Sequence, residues 1–129
     1  MTLICCPLMV QSVERGLADA AVARELGADL VEYRLDEFFT GGQGGHADHA
    51  DLESEIRSAC DLVGRSPLAC IATCRPTWEG GQYDGPDDAR IALFEAMGTL
   101  TPPHAHPPRY IDVELAAYER SANLRQKVH

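Results

Sequence analysis

The sequence predicts an α/β fold in which a parallel sheet carries helices on its surface. Two observations predict it. Four short apolar runs alternate with four helical patterns along the chain, and in two of the runs charged residues occupy every second position. The chain has 129 residues, the size of one domain, and 45% of them are hydrophobic, as is usual for a globular protein with a packed core.

The predicted elements follow one another in strict alternation. Apolar runs predict strands at residues 3–8, 29–36, 68–74 and 110–115. Apolar residues at helical spacing predict helices at residues 13–26, 51–63, 87–100 and 116–128. We expect Ser12 to cap the first helix and Gly27 to end it. Residues 101–108 include four prolines, so this segment is expected to be non-helical.

The charge and the cysteines exclude several classes of function. Acidic residues number 20 and basic residues 11, and the net charge of −9 repels nucleic acid and anionic membranes. No apolar run approaches the about 18 residues that cross a bilayer. The cysteines are odd in number, form no CxxC pair and follow no signal peptide, which predicts a reduced, cytoplasmic protein. We expect them to be buried small hydrophobic residues: Cys5, Cys6, Cys60, Cys70 and Cys74.

Charged residues share one face of the predicted sheet, because alternate residues of a strand point to the same side. They are Glu32, Arg34 and Asp36 on the second strand and Asp112 and Glu114 on the fourth. Arg75 follows the third strand on the corresponding side. Such a face is typical either of a water-exposed side of a two-layer sheet or of a site for a small carboxylate. In the second case guanidinium groups bind the carboxylate at the C-terminal ends of the strands.

The loop after the third strand, residues 75–83, has features of a binding loop. Pro76 stiffens its start, and Gly80 and Gly81 permit a tight turn or a close approach to a ligand. Glu79 is placed to accept hydrogen bonds from substrate hydroxyls. Without further information, an ordinary turn that carries a charge explains the same residues.

Three motifs together resemble the type I 3-dehydroquinate dehydratases. They are LVEYRLD at residues 30–36, CRPTWEGGQY at 74–83 and YIDVEL at 110–115, and residues 3–9 fit the family's first strand. The resemblance implies an aldolase-like (βα)8 TIM barrel. Because a complete barrel needs about 250 residues, residues 1–129 would form a partial barrel of about the first four βα units. The third-strand loop is most similar to plant-type enzymes that are fused to shikimate dehydrogenase.

The resemblance also implies an activity and roles for named residues. The family dehydrates 3-dehydroquinate to 3-dehydroshikimate in the shikimate pathway, without a cofactor, through a Schiff base on a lysine and with a histidine that moves protons. It implies that Glu32 orients the histidine, that Arg34 and Arg75 bind substrate, and that Glu79 lies beside it. A structural ion pair between Glu32 and Arg34 is the alternative. Pro7 stands where some members have a serine that contacts the substrate.

The histidine and lysine of the family are expected on later strands, beyond this sequence. Its histidines, none of which ends a predicted strand, are His46, His49, His104, His106 and His129. Its one lysine, Lys127, falls in the fourth helical pattern. The leading hypothesis is therefore the N-terminal half of a dehydratase that is inactive by itself. A downstream shikimate dehydrogenase domain and a homodimer of the full-length enzyme are compatible with it.

Two other hypotheses remain open at this point. The first is a non-catalytic half-barrel that binds a small carboxylate through Arg34 and Arg75. The second is a metal site of His46, Asp48 and His49, which the flexible glycines around it disfavour. In either case a half-barrel would expose the edges of its first and fourth strands, which predicts self-association.

Overall fold

The structure, a computed structural model, describes residues 2–42 and 51–112. The elements in chain order are β1 (Cys5–Met9), α1 (Val13–Glu25), β2 (Leu30–Arg34), α2 (Leu52–Gly64), β3 (Ala69–Thr73), α3 (Asp87–Gly98) and β4 (Tyr110–Asp112). A short 3-10 helix, Thr77–Glu79, lies in the loop after β3. The predicted alternation is confirmed as far as β4. The predicted fourth helix, at residues 116–128, lies outside the described residues.

The four strands form one parallel sheet in the order β1-β2-β3-β4. Glu32 of β2 lies opposite Pro7 of β1 and Ile71 of β3. One step further along, Arg34 lies opposite Thr73. Successive parallel strands joined by helices are the repeating unit of a (βα)8 barrel, and this sheet has the arrangement of part of such a barrel.

The ends of α1 follow local rules. The Ser12 hydroxyl accepts a hydrogen bond from the Arg15 N–H at 3.2 Å, which confirms the predicted N-cap. Gly27 adopts a φ of 100°, and the Ala28 N–H donates to the Ala23 carbonyl at 3.0 Å. This is the Schellman ending that glycine favours, because glycine enters the left-handed region without a steric cost.

The predicted end of α3 was wrong by two residues. The helix ends at Gly98 instead of Leu100. The Thr99 hydroxyl donates to the Ala96 carbonyl at 2.7 Å, so this side chain satisfies a carbonyl that a further helical turn would otherwise engage.

The hydrophobic core lies between the sheet and the helices. Its fully buried members include Val31, Tyr33 and Leu35 from β2 and its exit, Ala72 from β3, Leu62 from α2, and Leu93 and Met97 from α3. Burying one such aliphatic or aromatic side chain contributes about 1.5–3 kcal/mol. The charged residues of β2 lie on the other face, so the predicted division into an apolar and a polar face is confirmed for the described strands.

The prediction that all five cysteines are buried was wrong in part. Cys70 and Cys74 are buried against the helices, whereas Cys6 and Cys60 are half-buried and Cys5 is exposed. Cys5 differs because β1 turns Cys6 and Leu8 toward the core, which leaves the alternate residues on the opposite face. In residues 2–42 and 51–112, no helix is both long and apolar enough to cross a membrane.

Candidate functional site

The middle of β2 and the C-terminal end of β3 bring Glu32 and Thr73 together. The Thr73 hydroxyl, which is fully buried, donates to Glu32 Oε2 at 2.7 Å. Glu32 itself is half-buried on the face that points away from the helices. The contact crosses between adjacent strands and fixes one oxygen of the carboxylate.

Arg34 pairs with Asp36 and not with Glu32. Its Nε donates to Asp36 Oδ1 and its Nη2 donates to Asp36 Oδ2, both at 3.1 Å. The Asp36 side chain is completely buried, and that of Arg34 is 24% exposed. A bidentate pair of this geometry is among the stronger charge-assisted contacts in proteins. The alternative of a Glu32–Arg34 ion pair is therefore wrong.

Arg75 extends the polar face toward β4. Its Nη2 donates to Asp112 Oδ2 at 3.0 Å, and both side chains are about one-third exposed, at 39% and 35%. This ion pair joins the end of β3 to β4. Glu114, the other acid predicted on this face of the fourth strand, lies outside the described residues.

The loop after β3 closes on itself before it reaches α3. The Tyr83 N–H donates to the Arg75 carbonyl at 3.1 Å, and the Thr77 N–H donates to the Tyr83 carbonyl at 2.9 Å. Gly80 has a φ of 80°, as a tight turn requires, and an added Cβ at Gly81 would overlap the Arg75 carbonyl. Glu79 lies on the exposed side of this turn. The predicted tight turn at the two glycines is confirmed, and the 3-10 helix within it was not predicted.

Two contacts join this loop to the loop after β2. Asp36 Oδ2 accepts the Gln82 N–H at 2.9 Å, and the Phe39 and Tyr83 rings stack with centroids 5.7 Å apart. The Tyr83 hydroxyl donates to the Pro86 carbonyl at 2.6 Å. Burial raises the pKa of this phenol above its ordinary value, so it remains a donor across the neutral range.

Arg90 contacts the end of β3 from the side of the sheet that carries the helices, and sequence reasoning missed it. It lies on α3, is 3% exposed, and donates from Nη1 to the Cys74 carbonyl at 2.8 Å. Its guanidinium lies 5.9 Å from the centre of the Tyr83 ring. The signal that could have found it is its place in the apolar stripe of α3, where an arginine must have buried partners.

The described part of the chain has no cluster of three or more histidine, cysteine or acidic side chains arranged to hold a metal. His46, Asp48 and His49 lie outside that part, so the metal alternative stays a prediction. His104 and His106 belong to the turn that precedes β4. They therefore lie toward the N-terminal end of the sheet, away from Arg34.

The charged side chains thus form a polar site at the C-terminal ends of parallel strands. The family model described as type I 3-dehydroquinase matches residues 4–129. The chain belongs to the type I 3-dehydroquinase family. The family that the three motifs resemble is thus confirmed.

Two similar proteins are 3-dehydroquinate dehydratases, which is consistent with this family. The chain is 37% identical over 114 residues to the chloroplastic bifunctional 3-dehydroquinate dehydratase/shikimate dehydrogenase of Arabidopsis thaliana, covering 88% of this chain and 16% of that protein. It is 34% identical over 117 residues to the 3-dehydroquinate dehydratase of Desulfotalea psychrophila, covering 89% and 38%.

A solved structure shares the fold. The 3-dehydroquinate dehydratase of Geobacillus kaustophilus HTA426 superposes with a TM-score of 0.70 at 22% identity, covering 99% of this chain and 46% of that one. This type I 3-dehydroquinase chain therefore spans less than half the length of these relatives.

Proposed function

We propose that this chain forms part of a 3-dehydroquinate dehydratase, a lyase that removes water from 3-dehydroquinate to give 3-dehydroshikimate. The observation that carries the proposal is the placement of Arg34 and Arg75 at the ends of adjacent strands on the face away from the helices. In a chain of net charge −9, a local pair of cations is needed to attract an anionic substrate. The family and the names of the relatives supply the reaction.

The proposed roles follow from the chemistry and the exposure of each side chain. Arg34 and Arg75 bind the substrate carboxylate, for which a planar guanidinium is well suited. Glu79, exposed on its turn, accepts hydrogen bonds from substrate hydroxyls. Glu32 orients the proton-shuttling histidine that the family is expected to carry on a later strand. Thr73 holds Oε2 of Glu32, and the second oxygen is the one that would accept from an imidazole N–H.

We propose that a polypeptide of only these 129 residues does not catalyse the dehydration. A Schiff base needs an amine beside the substrate ketone, and β1 to β4 contain no lysine. We expect no formation of 3-dehydroshikimate, measured by its absorbance, and no increase in mass after borohydride treatment with 3-dehydroquinate. A trapped adduct on Lys127 or turnover above the buffer rate would contradict this.

Calorimetry with 3-dehydroquinate tests whether the chain acts as a carboxylate-binding module, the alternative function. If the arginines form a subsite without the rest of the barrel, Arg34→Ala should weaken binding by about tenfold or more, because a charge-assisted bidentate contact is lost. Arg15→Ala is the matched control, since Arg15 also pairs with an aspartate but on the exposed surface of α1. An equal loss in both variants would contradict a specific subsite.

The remaining expectations about the whole protein also stay proposals. The name of the Arabidopsis relative supports a fused shikimate dehydrogenase domain, and the reading frame of the gene tests it directly. The same name describes a chloroplastic protein, whereas we propose a cytoplasmic location for this one, which cell fractionation tests. We also propose a homodimer of the full-length enzyme, which sedimentation tests.

A further inference from the structure

We propose that Asp36 is a positioning residue that holds one edge of the Arg34 guanidinium and joins it to the loop after β3. In this arrangement the opposite edge of Arg34 stays available for a substrate carboxylate. The inference rests on the proposed function for the identity of the ligand. The positioning itself is independent of the ligand.

Burial and pairing of Asp36 support this role. The side chain has no exposed surface and accepts hydrogen bonds from three N–H groups, which are Nε and Nη2 of Arg34 and the backbone N–H of Gln82. A carboxylate buried in this way is strongly unfavourable without such partners. The position therefore needs a carboxylate whose two oxygens both accept hydrogen bonds, which asparagine cannot supply.

The geometry also selects which part of Arg34 faces the ligand. A guanidinium has two edges that can bind a carboxylate in bidentate fashion, one formed by Nε with Nη2 and one by Nη1 with Nη2. Asp36 occupies the first edge. In residues 2–42 and 51–112 no hydrogen bond engages Nη1 of Arg34, whose side chain is partly exposed. The second edge is therefore the one that a substrate carboxylate would meet.

The same carboxylate couples two loops that are distant in sequence. Asp36 Oδ2 accepts both from Arg34 Nη2 at 3.1 Å and from the Gln82 N–H at 2.9 Å. Gln82 follows the tight turn that carries Glu79. A shift of this turn would therefore weaken the contacts that hold Arg34, and a shift of Arg34 would weaken one of the contacts that hold the turn.

Nitrogen-15 NMR of the ligand-free chain tests the proposal. In the wild-type chain, we expect the Arg34 Nε–H to exchange with solvent at least about tenfold more slowly than the Nε–H of Arg15, whose pair with Asp19 is exposed. In Asp36→Asn we expect this protection to be lost, and the Gln82 amide to shift and exchange about tenfold faster. Asp19→Asn, the matched control, should leave both signals unchanged.

The outcomes separate positioning from substrate recognition. Unchanged Arg34 and Gln82 signals in Asp36→Asn would overturn the proposal. If that variant does not fold, the wild-type comparison decides, because equal exchange at Arg34 and Arg15 would also overturn it. Calorimetry of the wild type with 3-dehydroquinate tests the proposed function, independently of the NMR experiment. An absence of binding there counts against the proposed function, and the NMR result still decides the role of Asp36.

Discussion

Two carboxylates, the half-buried Glu32 and the buried Asp36, lie on the polar face of this sheet, and each has a different set of donors. Glu32 accepts from Thr73 on the next strand, and Asp36 accepts from Arg34 and from the Gln82 backbone. The sequence predicted that these acids share a face with Arg34, because alternation along a strand is a local property. It did not predict which acid pairs with the arginine. That choice depends on the side-chain hydroxyl of the neighbouring strand and on a loop 46 residues further along the chain.

Glu55 on α2 is a buried carboxylate that sequence reasoning missed. Its Oε1 accepts from the Thr40 N–H at 3.1 Å and from the Thr40 hydroxyl, and its Oε2 accepts from the Gly42 N–H at 2.7 Å. Glu55→Gln would place an amide N–H₂ against one of these donors. We expect it to lower the free energy of unfolding by about 1–3 kcal/mol, measured in urea.

The control for this prediction is Glu53→Gln on the same helix. Glu53 is 83% exposed and contacts Arg57 at 3.3 Å, so its loss should change the stability by less than about 1 kcal/mol. Equal costs for the two substitutions would show that the buried hydrogen bonds of Glu55 do not hold the loop after β2.

At the scale of elements, helices and strands were predictable and the loops that shape the site were only partly so. The start of α1 depends on Ser12 and its end on Gly27, within a few residues of sequence. The two loops depend on contacts between distant residues, such as the Phe39–Tyr83 stacking and the hydrogen bond from Arg90 to the Cys74 carbonyl. Local periodicity can indicate that a residue is buried, as for Arg90, but it does not identify the partner that the residue contacts.

Gly81→Ala tests whether the loop after β3 needs its glycine for space. The added Cβ would overlap the carbonyl of Arg75, which is itself held by the Tyr83 N–H. Since the obstacle is backbone, the loop must move, and we expect a loss of about 1–3 kcal/mol together with a changed fluorescence of Trp78. Gly98→Ala is the control: at the end of α3 its Cβ would have no heavy atom within 4 Å, so stability should be equal or higher. Unchanged fluorescence and stability in Gly81→Ala would contradict the steric argument.

In the part of the chain that the structure describes, a four-stranded sheet carries helices on one face, and β1 and β4 are its outer strands. Among the described residues β1 pairs only with β2, and β4 only with β3. The Ile4 carbonyl and the Val10 N–H both form hydrogen bonds on the side of β1 that faces β2. The backbone groups of successive residues in a strand point to alternate sides, so those of Pro7 point to the outer edge of β1. Proline has no N–H to offer there, which weakens that edge as a template for another strand. Self-association stays a prediction, for which sedimentation is the measurement.

Two ionisable groups in the buried core are expected to make the chain less stable at alkaline pH. Burial raises the pKa of Tyr33 from 10 to about 12 and that of Cys70 from 9 to about 12. In the unfolded chain these groups lose their protons at lower pH than in the folded chain, so ionisation favours unfolding. Their contribution to stability is complete below about pH 9 and is lost as the pH rises toward 12.

Tyr33→Phe isolates one of these protons. The phenylalanine keeps the buried ring and removes both the ionisable hydroxyl and its 2.8 Å hydrogen bond to Ser66. We expect the variant to be less stable at pH 8 by about 0.5–1.5 kcal/mol, the usual contribution of one such bond. Between pH 10 and 12 its stability should fall less steeply than that of the wild type, by up to about 1.4 kcal/mol per pH unit for one proton. Urea unfolding under reducing conditions at several pH values measures both effects, and equal slopes in the two proteins would exclude Tyr33 as a source of the alkaline instability.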